Sequence, residues 1–163
     1  MKLLIAKQKI EALRNALRLA GGNEIGGVLF GEHTGDAQFR VVELTYQHRQ
    51  GDETAFRRRG RTARRELKRM SAKRQNDYKR FNYLGEWHSH PNALALPSVR
   101  DSLTIREILE HSDTNANFLV LLIVRLAQTE HLEMSAHAFL ASGHTLECEI
   151  QVETGVSEQD GSP

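Results

Sequence analysis

One almost uninterrupted apolar segment constrains the fold of this chain more than any other feature. Residues 118–126 read Phe-Leu-Val-Leu-Leu-Ile-Val-Arg-Leu, so both faces of a strand formed there would be apolar. Such a strand has to be covered on both sides, as strands inside a layered sheet are. Its unbroken apolar part, residues 118–124, falls far short of the roughly 20 residues that a membrane-spanning helix needs. The segment therefore predicts a central, buried strand in a soluble domain.

The hydrophobic periodicity of the remaining chain predicts alternating strands and helices. A length of 163 residues suits one domain, predicted over 1–154, with the polar residues 155–163 as a flexible C-terminal tail. The order of elements predicts a mixed sheet flanked by helices. The predicted helices cover 8–20, 60–78 and 98–111; the predicted strands cover 3–6, 25–31, 39–46, 81–90, 118–126, 132–140 and 146–152, with 25–31 and 39–46 forming an antiparallel pair.

The net charge of +1 conceals a strongly basic block. Residues 57–80 carry 12 Lys or Arg against Glu66 and Asp77, a net of +10, and the rest of the chain carries −9. Three interpretations of this block stay open: a solvated helix face, an electrostatic dock for an acidic protein partner, or a nucleic-acid-binding module. Nucleic acid is disfavoured because aromatic residues are sparse, with Tyr78 inside the block and Phe56 just before it, and no recognised nucleic-acid-binding motif occurs.

Cysteine content and the N-terminus indicate a cellular compartment. Cys148 is the single cysteine, so an intramolecular disulfide and a cysteine-built metal site are both excluded. Residues 1–6 contain five apolar residues, too few for the apolar region of a secretory signal. The sequence therefore predicts a cytoplasmic protein with no membrane partner.

The residues that carry chemistry lie between 86 and 101. On a strand, residues two apart share a face, so His88 and His90 point to the same side with Cα atoms about 6.6 Å apart. Asp101 follows in the first turn of the next predicted helix, where its carboxylate can approach both imidazoles. Two histidines and one carboxylate make a three-ligand zinc site with an open fourth position, which is typical of catalytic zinc.

Structural interpretations of the same residues compete with this one. Ser98-Val99-Arg100-Asp101 is also a capping pattern at a predicted helix start, which would give both ends of it a structural role. Glu86 shares the predicted face of the histidines and is a candidate for orienting them through hydrogen bonds. Trp87 is predicted to pack on the opposite face of the sheet.

Together these residues resemble the JAB/MPN domain with its JAMM metalloprotease motif. The resemblance lies in His88-Ser89-His90-Pro91, in Ser98 and Asp101 after the motif's spacing, and in Glu24 of the upstream segment Glu-Ile-Gly-Gly-Val-Leu-Phe-Gly. It implies an α+β fold, a JAB/MPN-like (cytidine-deaminase-like) mixed, curved β-sheet flanked by helices. It also implies zinc held by His88, His90 and Asp101, Glu24 as the general acid and base, and Ser98 as a donor to the developing oxyanion.

Residues outside the motif resemble a bacterial subfamily of JAMM proteins. The resemblance rests on Phe56-Arg57-Arg58-Arg59, the basic helix after it, and Tyr83 to Pro91. Members of that subfamily are encoded beside E1- and E2-like conjugating proteins in anti-phage (CBASS) operons built around a cGAS-like CD-NTase. The resemblance implies a deubiquitinase-like isopeptidase or peptidase that removes the conjugated C-terminus of the CD-NTase, or of a ubiquitin-like modifier, from its target.

An alternative remains for the substrate. A JAMM peptidase that trims a sulfur-carrier or ubiquitin-like precursor would carry the same motif. The DNA-repair relatives have a different pattern at the positions of Ser89, Asn92 and Ala93. Only about six residues separate the third predicted helix from Phe118, which leaves little room for the insertion that ubiquitin-chain-selective members use. Within the basic block, Arg64, Arg65 and Lys68 are the candidate substrate-docking residues.

Overall fold

The structure, a computed structural model, describes residues 1–48, 60–111 and 116–154. The predicted tail 155–163 and the basic residues 57–59 lie outside these ranges. Within them the chain forms eight strands and three helices, in the order β1 (Lys2–Ala6), α1 (Lys7–Ala20), β2 (Ile25–Gly35), β3 (Gln38–Leu44), β4 (Gln47–His48), α2 (Gly60–Lys73), β5 (Phe81–Ser89), α3 (Val99–His111), β6 (Phe118–Leu126), β7 (Leu132–Leu140) and β8 (Thr145–Glu153).

Seven of the strands form a closed ring. Their order is β3-β1-β8-β7-β6-β5-β2, and a further antiparallel pairing of β2 with β3 returns the sheet to its start. The pairs β1–β3, β1–β8 and β5–β6 are parallel, and the other pairs in the ring are antiparallel. The short β4 adds to the free part of β2. The fold is therefore a seven-stranded β-barrel with three helices in the described chain.

The predicted fold class, an α+β, JAB/MPN-like mixed and curved sheet flanked by helices, is wrong because the sheet closes. Closure depends on β3, which pairs with β2 on one edge and with β1 on the other. Bulges in β2 after Phe30 and after His33 interrupt its register with β3, and bulges of this kind bend a strand. The parallel pairing of β1 with β3 joins residues about 36 positions apart (Lys2 with Gln38), and nothing local in the sequence signals it.

The largest hydrophobic cluster fills the inside of the ring. It includes side chains from all seven ring strands and from the buried face of α1, for example Leu13, Trp87 and Leu122. A second cluster lies outside the ring, where Ile105 of α3 packs on alternate residues of β6 such as Leu121. The apolar segment 118–126 is thus buried on both faces, as predicted, with the interior on one side and α3 on the other.

Most predicted elements are found, with shifted ends. The helix over 8–20, the antiparallel pairing of β2 with β3 and the strand over 132–140 are confirmed. The basic helix ends at Lys73 rather than 78. Gln75 and Asn76 adopt left-handed backbone conformations there, and the amide of Asn76 bonds the carbonyl of Ser71, which is how many helices terminate.

An ion-pair network ties the closing strands together. Glu32 on β2 is buried and accepts hydrogen bonds from Arg40 on β3, at 2.8 Å, and from Arg80 before β5, at 2.8 Å. Arg40 also holds Glu153 at the end of β8, at 2.9 Å. Burial alone would raise the pKa of Glu32, but the guanidinium groups of Arg80 and Arg40 outweigh it and hold that pKa below its ordinary value. The network therefore stabilises the seam at which the barrel closes.

In the described ranges no helix is both long enough and apolar enough to cross a membrane.

The pKa of Glu32 is lower in the folded protein than in the unfolded chain. The ionised carboxylate therefore stabilises the folded state fully above the unfolded pKa of about 4.3, and this stabilisation is lost as the pH falls through the folded pKa. We expect Glu32→Gln to lower the free energy of unfolding by about 1–3 kcal/mol at pH 7, with the difference shrinking below about pH 4. Urea unfolding from pH 7 to pH 3 measures this. Glu149→Gln, at an exposed pair with Lys2, is the control; an unchanged difference across the range would contradict the assignment.

Candidate metal centre

Strand β5 and helix α3 bring three potential metal ligands together. His88 lies near the end of β5, His90 directly follows that strand, and Asp101 lies in the first turn of α3. Both histidines are buried, and one ligand atom from each of the three residues lies within 4.8 Å of the others. The structure thus assembles the three predicted metal ligands into one group.

The spacing of the ligand atoms can be compared with a tetrahedral zinc site. The Nε2 atoms of His88 and His90 are 3.1 Å apart, and they lie 3.2 and 3.4 Å from the Oδ1 and Oδ2 atoms of Asp101. Bonds of about 2.0–2.1 Å at tetrahedral angles place neighbouring ligand atoms about 3.3 Å apart. The residues present therefore fit a small divalent cation held by two nitrogens and a carboxylate.

A backbone carbonyl sets the orientation of His90. Its Nδ1 atom lies 2.9 Å from the carbonyl oxygen of Leu94, which can only accept a hydrogen bond, so Nδ1 is the donor. That bond turns Nε2 toward Asp101 and His88, and it is the kind of outer contact that fixes the ring of a metal-bound histidine. The hydrogen bond with Asp101 raises the pKa of His90 above its ordinary value, with smaller contributions from Leu94 and from the charge of Glu24.

Ser98 and Asp101 form a reciprocal cap at the start of α3. The backbone amide of Asp101 donates to Ser98 Oγ at 3.1 Å, while the amide and hydroxyl of Ser98 donate to Asp101 Oδ2 at 2.8 and 2.6 Å. Burial alone would raise the pKa of Asp101, but hydrogen bonds from His88, His90 and Ser98 lower it well below its ordinary value. The capping interpretation is confirmed, and the two bonds from Ser98 fix the carboxylate at the start of α3, within 3.4 Å of both histidines.

The register between β2 and β5 places Glu24 beside this group. Gly26 is paired with His88, and the buried amide of Ile25 donates to Ser89 Oγ at 3.0 Å. Continuing that antiparallel register by two residues sets Glu24 across from His90. The half-buried Glu24 is close enough for its charge to raise the pKa of His90. The structure therefore brings the predicted general base to the edge of the candidate metal centre.

A close crossing explains the glycine after Gly26. A Cβ atom on Gly27 would lie 1.9 Å from the carbonyl oxygen of Thr45, so only glycine fits there. Thr45 itself accepts a hydrogen bond from Trp87 Nε1 at 2.9 Å, and its hydroxyl accepts one from the amide of Val28 at 2.9 Å. Trp87 is fully buried in the interior cluster, on the face opposite the histidines, as predicted.

The other predicted site residues occupy the outer face of the barrel. Glu86 is buried, is paired with Leu121 of the outer cluster, and accepts a hydrogen bond from the hydroxyl of Tyr83 at 3.3 Å. Its predicted role in orienting the histidines stays a prediction. The candidate docking residues Arg64, Arg65 and Lys68 are exposed on α2, which packs against β2 and β5. They do not contribute atoms to the metal group.

Sequence reasoning missed three contributors to the site. Leu94 acts through its backbone carbonyl, which leaves no trace in the side-chain sequence. The sequence assigns Ser89 no structural role, although its hydroxyl accepts the hydrogen bond from the amide of Ile25 that joins β2 to β5. The carbonyl of Thr45 accepts a hydrogen bond from Trp87 Nε1, which lies 42 residues later in the chain, so the contact is visible only in the folded sheet.

Comparison with known proteins bears on this arrangement. Residues 6–139 match the Prok-JAB family, described as prokaryotic homologs of the JAB domain. The chain belongs to this family. Membership of the Prok-JAB family supports the predicted JAB/MPN domain and is consistent with a hydrolase. No curated protein sequence matches the chain significantly.

A solved structure shares the fold of this Prok-JAB chain. The solution structure of protein DSY2949 from Desulfitobacterium hafniense is similar with a TM-score of 0.72 and 23% sequence identity, covering 96% of this chain and 97% of the other. At that identity the likeness extends to the fold alone.

We expect the purified protein to bind about one divalent metal ion per chain through His88, His90 and Asp101. Asp101→Asn removes the anionic ligand and should weaken metal affinity by at least about tenfold. Elemental analysis after gel filtration, with a competition titration, measures both. Glu110→Gln on the exposed side of α3 is the matched control. Metal-free native protein, or an Asp101→Asn variant with unchanged affinity, would contradict the assignment.

Proposed function

We propose that this chain is a zinc-dependent, deubiquitinase-like isopeptidase or peptidase. The observation that carries the proposal is the convergence of His88, His90 and Asp101, with Glu24 close enough for its charge to act on His90. Two imidazoles and one carboxylate suit zinc, and three protein ligands are the number that catalytic zinc sites use. Bound zinc supplies Lewis acidity, which lowers the pKa of a water molecule and polarises an amide carbonyl.

The protein's own residues have separate tasks in this proposal. Glu24 accepts a proton from the attacking water and returns it to the leaving amine, the two successive uses of one carboxylate. The hydroxyl of Ser98 donates its proton to Asp101 Oδ2 in this structure; in the proposal it turns that proton to the oxyanion that develops, an effect worth about 3 kcal/mol in comparable sites. Leu94 holds His90 through its carbonyl, and Ser89 holds the strand that carries Glu24.

The proposed substrate is a protein conjugated through its C-terminus. The segment Tyr83 to Pro91 resembles the JAMM members of anti-phage operons, in which an E1/E2-like partner attaches a cGAS-like CD-NTase to other proteins. In that setting the enzyme acts in the cytoplasm and hydrolyses the bond between the C-terminus of the CD-NTase and its target. The residues Phe56 to Arg59, which also carry the resemblance, lie outside the described ranges.

Helix α2 is proposed to recruit that substrate by charge. Its sequence carries six Lys or Arg against Glu66 alone, and Arg64, Arg65 and Lys68 are exposed. Its buried side chains Ala63 and Met70 are separate from the interior cluster, so α2 lies on the outer surface of β2 and β5, the strands that position Glu24 and His88. A basic surface on the strands that carry the site raises the local concentration of an acidic protein partner.

We expect Glu24→Gln to keep its bound metal and to lose hydrolysis by a factor of about 10² or more, because the amide can hold the position of the carboxylate without carrying a proton. The assay uses a CD-NTase conjugated to a target by an E1/E2-like protein of such an operon. Glu11→Gln, whose side chain pairs with Arg14 on α1, is the control. Unchanged turnover by Glu24→Gln would remove Glu24 from the mechanism. Cleavage of a sulfur-carrier precursor in preference to the conjugate would overturn the substrate assignment.

We expect the triple variant Arg64→Glu, Arg65→Glu, Lys68→Glu to raise KM more than it lowers kcat, and the effect on KM to shrink at high salt. Lys7→Glu reverses the charge of an exposed residue at the start of α1, outside α2, and is the control. Steady-state kinetics between 50 and about 500 mM salt measure both constants. Equal kinetics in all three proteins would show that α2 is only a solvated face. An affinity for double-stranded DNA that falls steeply with salt concentration would favour the nucleic-acid interpretation.

A further inference from the structure

A cavity lies at the end of the barrel where β5 and β6 end and where β2 and β7 begin. It has a volume of about 250 Å³ and is named the rim cavity. The last turn of α1, the loop before β2, the residues that follow β5 and the turn between β6 and β7 contribute to its lining, which includes Leu17, Arg18, Asn23, Pro91, Leu126 and Glu130. None of the described residues that line it belongs to the metal group.

One part of the lining is apolar. Leu17 is buried in the interior cluster, and Leu126 packs against that cluster from the end of β6. The ring of Pro91 adds a further apolar surface. An aliphatic group placed against these side chains leaves water and is stabilised by the hydrophobic effect.

Another part of the lining carries two opposite charges. Arg18 Nε donates to Glu130 Oε2, and the side chains of the two residues are 47% and 56% exposed. Exposed ion pairs of this kind contribute little to stability. A ligand that carries both charges can therefore replace this pair at little cost, with its carboxylate on Arg18 and its ammonium on Glu130.

The backbone of Glu130 has an uncommon conformation. Its φ is +61°, in the left-handed region that few residues other than glycine, asparagine and aspartate occupy. The residue closes the turn between β6 and β7, where its amide donates to the carbonyl of Ala127 at 2.9 Å. Turns of this kind ordinarily have glycine at the left-handed position. A glutamate there, bonded to a residue 112 positions earlier, indicates a role for its carboxylate.

The end of α1 adds to the preference for an ammonium group beside Glu130. The side-chain nitrogen of Asn23 donates to the carbonyl of Ala20 at 3.1 Å, so the side-chain oxygen is the atom that Asn23 presents as an acceptor. The C-terminal end of a helix also carries a partial negative charge, which attracts a cation. The rim cavity thus combines acceptors for an ammonium, a guanidinium for a carboxylate, and an apolar wall.

We propose that the rim cavity binds a small zwitterion with an aliphatic chain, and that the chemical class of this ligand is a free aliphatic α-amino acid. Its carboxylate binds Arg18, its ammonium binds Glu130, and its side chain packs against Leu17 and Leu126. A volume of about 250 Å³ equals that of about eight water molecules at roughly 30 Å³ each. That volume suits a ligand of about nine non-hydrogen atoms, such as leucine, and is smaller than pockets for drug-sized molecules.

The rim cavity borders both segments that carry the candidate site. Asn23 directly precedes Glu24, and Ser89 and Pro91 flank His90. A bound amino acid therefore contacts both segments without entering the metal group. Binding at the rim cavity does not depend on the proposed function, because it requires neither zinc nor hydrolysis.

Binding is measured by NMR on the full chain, labelled with ¹⁵N. The probes are L-leucine and three analogues: isocaproate, which lacks the ammonium; isoamylamine, which lacks the carboxylate; and glycine, which lacks the aliphatic chain. We expect L-leucine to shift the amide signals of Gly21, Asn23 and Glu130 until they saturate. Each analogue should bind at least about tenfold more weakly, because each loses one of the three contacts.

The variants Arg18→Gln and Glu130→Gln each remove one charge with little change of shape, and each should weaken the binding of L-leucine by at least about tenfold. Both side chains are about half exposed, so the unfolding temperature should change little. Glu11→Gln, whose side chain pairs with Arg14 on the same helix, is the matched control and should bind as before.

Four results would overturn the proposal. The first is the absence of saturable shifts with L-leucine, or shifts that map to another part of the molecule. The second is isocaproate or isoamylamine binding as tightly as L-leucine, and the third is unchanged affinity in Arg18→Gln and Glu130→Gln. The fourth is equal affinity for N-acetyl-leucine methylamide, which is uncharged; the rim cavity would then take a side chain of a polypeptide rather than a free amino acid.

Discussion

The antiparallel register between β2 and β5 is the constraint on which the candidate site depends. It sets Gly26 opposite His88, and because side chains alternate along a strand, a slip of one residue would turn His88 and His90 toward the interior and Trp87 toward solvent. Three contacts oppose such a slip: the bond from Ile25 to Ser89, the bond from Trp87 to Thr45, and the approach of Gly27 to Thr45 that no larger residue permits. The geometry of the candidate site and the hydrophobic packing are therefore fixed by the same pairing.

Closure of the sheet gives the barrel an interior surface and an outer surface that differ in polarity. The interior is apolar and includes the buried face of α1, whereas the outer surface of β5 carries Glu86 and His88. Gly85 assists this arrangement: its φ of +145° accompanies the bulge between β2 and β5, and a Cβ atom there would lie 1.9 Å from the carbonyl oxygen of Val120. Helix α2 packs against β2 and β5, and α3 packs against β6, so the outer surface carries the basic helix as well as the candidate site.

Local patterns in the sequence predicted the parts of the structure that depend on neighbours along the chain. The apolar stretch 118–126, the amphipathic α1 and the spacing of His88 and His90 each follow from a period of two or 3.6 residues, and each is found. The cap of α3 by Ser98 and Asp101 is also a local motif. What the sequence did not predict is long-range: the pairing of β1 with β3 that closes the sheet.

Contacts made by the backbone were equally hidden. The carbonyls of Leu94 and Thr45 orient a ligand and anchor a tryptophan, but any residue type supplies a carbonyl, so composition gives no signal for them. The end of α2 was placed five residues too late because Gln75 and Asn76 adopt left-handed conformations that glycine more often takes. The helical spacing of the stripe that begins at Ala63 and Leu67 continues through Arg74 to Tyr78, which is why the sequence predicts a longer helix.

The metal centre at His88, His90 and Asp101 is tested most directly by a crystal structure of the zinc-loaded protein, with anomalous diffraction recorded at the zinc absorption edge. We expect one strong peak about 2.0–2.1 Å from Nε2 of both histidines and about 2.0–2.2 Å from a carboxylate oxygen of Asp101, with Glu24 facing the same ion. An ion bound elsewhere, or no peak at these three residues under zinc saturation, would contradict it.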